Sequence, residues 1–124
     1  MSILRYTPDH EWVRVEQDGT CTVGITDFAQ EQLGDIVFVQ LPDVGRRIQS
    51  GEEAVVIESV KAAADVKMPV SGEIVAVNET LVDTPEIVNS DPLATGWFLK
   101  IKPDDAADLD GLLDQTGYDA LTSE

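Results

Sequence analysis

Apolar residues along this chain come in short runs separated by Gly, Pro, Asp and Asn. Trp12-Val13-Arg14-Val15 and Thr22-Val23-Gly24-Ile25 read as two strands. Asp18-Gly19 between them predicts a tight hairpin turn with φ > 0 at both central residues. Asp27 and Gln30 have the spacing of a capping box and Gly34 supplies a C-terminal stop, which predicts a short internal helix in the stretch from Thr26 to Gly34. Ile36-Val37-Phe38-Val39, Ala54-Val55-Val56-Ile57 and Gly72-Glu73-Ile74-Val75-Ala76-Val77 read as further strands, with a turn around Leu41 to Gly45. Trp97 to Ile101 predicts a closing strand that Pro103 ends. Asp104 and Asp105 then favour a helix N-terminus, and Leu109, Leu112 and Leu113 share one helical face, which predicts a C-terminal helix packed on a sheet. Many short strands with two small helices make the chain mainly β, a sandwich or barrel.

One pattern occurs twice. Gly34-Asp35-Ile36-Val37-Phe38-Val39 recurs as Gly72-Glu73-Ile74-Val75-Ala76-Val77: Gly, acid, Ile, Val, any residue, Val. Two copies suggest two similar β units about a pseudo-twofold, with chance as the rival explanation because Ile-Val pairs are common in strands. Lys61 falls between the copies.

Composition narrows the picture. A chain of 124 residues suits one domain over 1–124. Its 24 acidic and 8 basic side chains give a formal net charge of −16. A field of that sign repels phosphate backbones, which argues against nucleic acid and anionic membranes and favours docking to basic surfaces. No apolar stretch approaches membrane-spanning length. Met1 to Tyr6 has neither the apolar core of a signal peptide nor an Arg-rich transit pattern, so a cytoplasmic protein, or a mature form already processed, is expected. Cys21 is single, lies in a strand pattern and reads as a small packed hydrophobe. His10 is the only histidine, a poor basis for a metal site. No Gly-rich dinucleotide fingerprint, P-loop or nucleophile–histidine pattern occurs, so a standalone enzyme is not expected.

Candidate chemistry centres on Glu58-Ser59-Val60-Lys61-Ala62-Ala63-Ala64-Asp65. The lysine sits between two strand patterns, and small residues follow it. A flexible stem ending in a nucleophilic amine suits covalent attachment of a group. The same local pattern describes an ordinary solvated lysine, and by itself it favours that reading. Val66-Lys67-Met68 superficially resembles the attachment motif of biotin carriers, but those place Met on both sides of the lysine and here Val66 precedes it.

Taken in order, His10-Glu11-Trp12, Val23-Gly24-Ile25-Thr26-Asp27, Ala29-Gln30, Leu33-Gly34-Asp35, Val37-Phe38-Val39, Leu41-Pro42, Glu58-Ser59-Val60-Lys61-Ala62, Pro69-Val70-Ser71-Gly72-Glu73, Val77-Asn78 and Gly96-Trp97 resemble the H protein family of the glycine cleavage system. The resemblance spans nearly the whole chain. It implies a lipoyl/biotinyl-type barrelled β-sandwich in which Lys61 holds lipoate covalently. Glu58 and Gly72 match positions used in presenting that lysine to the lipoylating enzyme. Glu11, Gln32 and Asp65 match positions near a cleft that shelters the loaded arm; Gln32 stands where some members have His. The implied function is that of a non-catalytic carrier and monomer. It would take the aminomethyl group of glycine from the pyridoxal-phosphate glycine decarboxylase to the tetrahydrofolate-dependent aminomethyltransferase, with reoxidation by dihydrolipoamide dehydrogenase. Two other readings stay open: a donor of lipoate to other enzymes, and an unmodified interaction module of the same fold.

Overall fold

Among residues 3–122, which a computed structural model describes, nine strands form two sheets. The larger sheet takes β1 (Ile3–Tyr6), β2 (Glu11–Val15), β3 (Cys21–Ile25), β9 (Leu99–Pro103), β8 (Gly72–Val77) and β5 (Arg47–Ile48), in that spatial order. The smaller sheet is β4 (Ile36–Gln40), β6 (Glu53–Ser59) and β7 (Ala63–Lys67), in that order. Every pairing is antiparallel. The sheets do not close into a barrel, so the architecture is an open sandwich. Val13, Val23, Ile74 and Ile101 of the large sheet and Ile36, Val39, Val55, Ile57 and Val66 of the small one share a single buried core. Burying these apolar side chains is what commits each strand to its place between the sheets.

The two copies of the repeated pattern become β4 and β8, one in each sheet. Ile36 and Ile74 hold the same place in the two copies, and both are buried in the core. The β6–β7 hairpin lies between the copies in the chain.

Several local features differ from the sequence expectations. The β2–β3 hairpin has a three-residue loop: Gly19 N–H reaches Glu16 carbonyl at 3.1 Å and Glu16 N–H reaches Thr20 carbonyl at 2.8 Å. Only Gly19 has positive φ there (89°), because Asp18 spends its carboxylate on the Thr20 N–H and hydroxyl instead of entering the left-handed region. The internal helix α1 (Asp27–Leu33) is capped by Thr26, whose Oγ1 accepts from Ala29 N–H, while Gln30 Nε2 donates to Asp27. The closing strand β9 begins at Leu99; Trp97 and Phe98 precede it.

The segment after Pro103 departs furthest. Ala106–Gly111 is a 3-10 helix, and the C-terminal α-helix is Gln115–Thr122 (α4). Leu109 and Leu112 pack on the main core, whereas Leu113 joins a second cluster of Tyr6, Trp12 and Tyr118. Leu113 also exchanges backbone hydrogen bonds with Tyr6 at 2.7 and 2.8 Å, which a helix through it would forbid. Two short helices, α2 (Thr80–Asp83) and α3 (Ile87–Ser90), lie between β8 and β9.

Trp12 illustrates how close the packing is. Its indole lies on Gly24, directly opposite in the register, and a Cβ there would come within 2.6 Å of the ring. The indole N–H donates to the Pro92 carbonyl at 2.8 Å.

Candidate functional site

Lys61 stands at the tip of the β6–β7 hairpin, in the two-residue turn Val60-Lys61. Strands β6 and β7 pair from Glu53 and Lys67 up to Glu58 and Ala63, so the turn is carried on a long ladder. Ser59 closes it. Its N–H donates to Ala62 carbonyl at 2.8 Å, and its Oγ accepts from the N–H groups of Lys61 (3.2 Å) and Ala62 (3.1 Å). A small hydroxyl thus replaces the backbone acceptor that a tight turn leaves out of reach. Lys61, Ala62 and Ala63 are exposed, and Val60 is 67% exposed. Two ion pairs occur among the described residues, Arg14–Glu16 and Arg47–Asp104, and Lys61 takes part in neither.

The lysine stem runs over Gly34. A Cβ on Gly34 would lie 3.0 Å from Lys61 Cε, and Gly34 has φ of 78°, so both the space and the backbone favour glycine. The preceding residue, Leu33, lines a cleft of about 350 Å³. Phe28, Ala29 and Gln32 of α1 form one wall; Ala64, Asp65 and Val66 of β7 form another; His10 and Glu11 close one end. Walls from a helix and a sheet edge follow from topology, since β7 is a terminal strand of its sheet.

Glu11, Gln32 and Asp65 therefore share one cleft. Their environments differ: Glu11 is buried, whereas Gln32 and Asp65 are exposed. Glu11 accepts from the Thr7 hydroxyl at 3.1 Å and from Lys67 N–H at 2.8 Å. Burial is the larger influence and pushes its carboxyl up to about 7, with the hydrogen bonds from Lys67 and Thr7 opposing it and nearby Asp9 adding to it. Lys67 is itself at the end of β7, and Met68 beside it is buried, so the lysine of the biotin-like motif is not at a hairpin tip.

Glu58 is exposed and pairs with Ala63 across the hairpin, directly beneath the lysine turn. Gly72 lies elsewhere, buried at the start of β8 opposite Pro103. A Cβ there would sit 2.4 Å from the Lys102 carbonyl oxygen, so its lack of a side chain is a packing requirement.

His10 lines the cleft beside Glu11, although neighbours within a strand would face opposite ways. The reason is that His10 precedes β2 and has φ of 69°. Its Nδ1 lies 2.9 Å from Tyr118 Oη, and its ring packs on Phe28 at 4.6 Å between centroids. Tyr118 Oη also lies 2.6 Å from Thr26 Oγ1, the cap of α1. Helix α4 thereby reaches two walls of the cleft. Nothing in the local pattern around Tyr118 signals this, because the partners are 92 and 108 residues away.

An exposed amine on a rigid hairpin, beside a sheltered cleft in a two-sheet sandwich, defines a carrier domain of the lipoyl type. The family model for the glycine cleavage H-protein matches residues 4–124, and the chain belongs to that family. It is 59% identical over 121 residues to the glycine cleavage system H protein of Citrobacter koseri, covering 98% of this chain and 94% of that one. It is 57% identical over 117 residues to the protein of the same name from Teredinibacter turnerae, covering 94% and 90%. The crystal structure of a glycine cleavage system H protein from Mycobacterium marinum superposes with a TM-score of 0.89 at 39% identity, over 98% of this chain and 97% of that one.

Proposed function

We propose that residues 1–124 form a single lipoyl-carrier domain in which lipoate is amide-linked to Lys61, and that it serves the glycine cleavage system as a non-catalytic shuttle. The observation that carries the reading is the placement of Lys61: exposed, at a hairpin tip, in a chain that matches the H-protein family over 4–124. The attachment point fits the group, since Lys61 is exposed and followed by the small residues Ala62 and Ala63. The cleft fits too. Phe28, Ala29, Leu33, Ile57 and Val66 offer an aliphatic arm apolar contact, and Glu11 and Asp65 offer carboxyl groups to an amine at its end.

When attached, lipoate supplies a disulfide able to accept the aminomethyl group of glycine at the glycine decarboxylase and deliver it at the aminomethyltransferase, with dihydrolipoamide dehydrogenase restoring the disulfide. The protein's own residues provide position. The Ser59-clamped turn holds the attachment point, and tethering raises the local concentration of the arm at each partner. The cleft walls keep water from the arm between visits. Glu58, next to the turn, is the contact read by the lipoylating enzyme, and Gly72 belongs to the same recognition through the strand it lets pack. The carrier works as a monomer in the cytoplasm, a setting in keeping with its bacterial relatives. No described helix is long and apolar enough to cross a membrane.

The test is intact mass after incubation with a lipoylating enzyme, lipoate and ATP, followed by reconstitution with the decarboxylase. A lipoyl increment lost in Lys61→Ala, together with glycine-dependent CO₂ release by the modified protein, is the expected result. A modified protein inert with the decarboxylase would overturn the shuttle and leave the lipoate-donor reading. A wild-type chain that takes no lipoate would overturn both.

A further inference from the structure

The Lys61 turn rests on more than its own two strands. Val60 N–H donates to the Asp35 carbonyl at 3.0 Å, and the lysine stem lies on Gly34. Both contacts fall on the short link between α1 and β4. One side chain holds that link from either side. Asn89, on α3, donates through Nδ2 to the Gly34 carbonyl at 2.9 Å and to the Gln30 side-chain carbonyl at 3.0 Å. Its Oδ1 accepts from Ile36 N–H at 2.8 Å. Gly34 and Ile36 bracket Asp35, so the residue that receives Val60 is fixed on both flanks.

We propose that Asn89 is a positioning residue for Lys61, setting where the lysine turn sits against the body of the protein. The functional side of the inference rests on the lipoylation reading above; its structural side does not. The division of labour is physical. Ser59 fixes the shape of the turn through hydrogen bonds to Lys61 and Ala62, all within the hairpin. That clamp says nothing about the angle at which the hairpin tip meets α1. The angle is set by Asp35 and Gly34, and the helix end they belong to has no basic residue in its last turn to satisfy its carbonyls. Asn89 supplies the missing donor and, with the same amide, the acceptor for the first N–H of β4. An amide side chain combines two N–H donors with a carbonyl acceptor, the set that these three bonds use. Aspartate keeps the acceptor and loses the donors; alanine loses both.

The experiment uses the full chain, with Asn89→Ala, Asn89→Asp and, as a control, Val88→Ala. Val88 is fully buried on the same helix and belongs to the core. Two quantities are read: hydrogen exchange at the Val60 amide, relative to the Val55 amide in the preceding strand β6, and kcat/KM of the chain as substrate for a lipoylating enzyme supplied with lipoate and ATP. For Asn89→Ala the expected results are about tenfold faster relative exchange at Val60 and about tenfold lower kcat/KM, the size of one lost hydrogen-bond frame. Asn89→Asp should fall between alanine and wild type. Val88→Ala should lower the unfolding midpoint by as much or more while leaving both readouts within twofold of wild type. Wild-type values of exchange and kcat/KM in Asn89→Ala would overturn the proposal, as would equal losses in Val88→Ala. If wild type takes no lipoate at Lys61, the functional reading fails, and Val60 exchange alone decides the positioning role.

Discussion

Glu11 is 3% exposed, and both its carboxylate oxygens accept hydrogen bonds. Its raised pKa has a consequence for stability whose sign is fixed by linkage. The folded protein holds the proton more tightly than the unfolded chain, where a glutamate titrates near 4.5. The stabilisation is fully present below pH 4.5 and is lost as pH rises through about 7. The whole effect is about 3 kcal/mol. Urea unfolding of wild type and Glu11→Gln across that window should give a stability difference that slopes downward with pH and flattens above it. A difference independent of pH would show that Glu11 titrates normally. Glutamine can accept from Lys67 N–H and donate to the Thr7 hydroxyl, so the comparison keeps the local bonds. Gly72 makes a second argument at this scale. Alanine there drives a Cβ against the Lys102 carbonyl, a backbone atom with no rotamer to change. We expect Gly72→Ala to cost about 1–3 kcal/mol in unfolding free energy. A stable Gly72→Ala protein that is poorly lipoylated would instead assign Gly72 to direct contact with the enzyme. Thr22 gives a prediction of opposite sign. It is fully buried, and its Oγ1 has no hydrogen-bond partner among the described residues. Thr22→Val keeps the shape and removes the unsatisfied hydroxyl, so it should raise stability by about 1 kcal/mol.

Helix α4 acts on the site through one hydroxyl. Tyr118 stacks on Tyr6 at 4.5 Å, and its Oη bridges His10 and Thr26. Tyr118→Phe should keep the stacking, lose the bridge and lower stability by about 1–3 kcal/mol. The loss should be local to α1: Ala29 N–H, which Thr26 Oγ1 accepts, should exchange faster while β6 amides do not. Uniform change across the chain would make Tyr118 a simple core residue. The elements differ in how far the sequence announces them. Short apolar runs set off by Gly, Asp and Asn, such as β2, β3, β4 and β8, are legible because strand propensity and turn chemistry are local. So is α1, through its flanking residues. The segment from Asp104 to Leu113 is not, because Leu109, Leu112 and Leu113 have helical spacing but are claimed by two different clusters, and Tyr6 pulls Leu113 into a bridge. The site divides the same way. Lys61 and the small residues after it can be read directly; its significance needed the family pattern. His10 facing the cleft depends on one positive φ, and Asn89 on contacts 53 to 59 residues away, neither of which has a local signature.

At the scale of the whole molecule the governing quantity is the net charge of −16, the excess of 24 acidic over 8 basic side chains. A carrier must meet several partners in turn and leave each one, so fast association with modest affinity is the useful regime. A strong single-sign field provides it by steering a basic partner toward the surface, an effect that falls with ionic strength. On the proposed function, shape at the tip then decides register, since Val60 and Glu58 are exposed around Lys61. The two contributions are separable. Glu58→Lys and Asp108→Lys change the net charge equally, but Glu58 flanks the lysine turn whereas Asp108 is exposed on the 3-10 helix. With the glycine decarboxylase as partner, kcat/KM for the lipoylated carrier should fall about tenfold as salt rises from about 20 to 200 mM, because the Debye length shrinks from roughly 20 to 7 Å. Asp108→Lys should shift that curve slightly and keep its slope nearly intact. Glu58→Lys should lower kcat/KM at low salt and flatten the slope, because it places a repulsive charge where the basic surface docks. Equal effects of the two substitutions would mean that only the overall field matters and that the residues around Lys61 make no specific electrostatic contact.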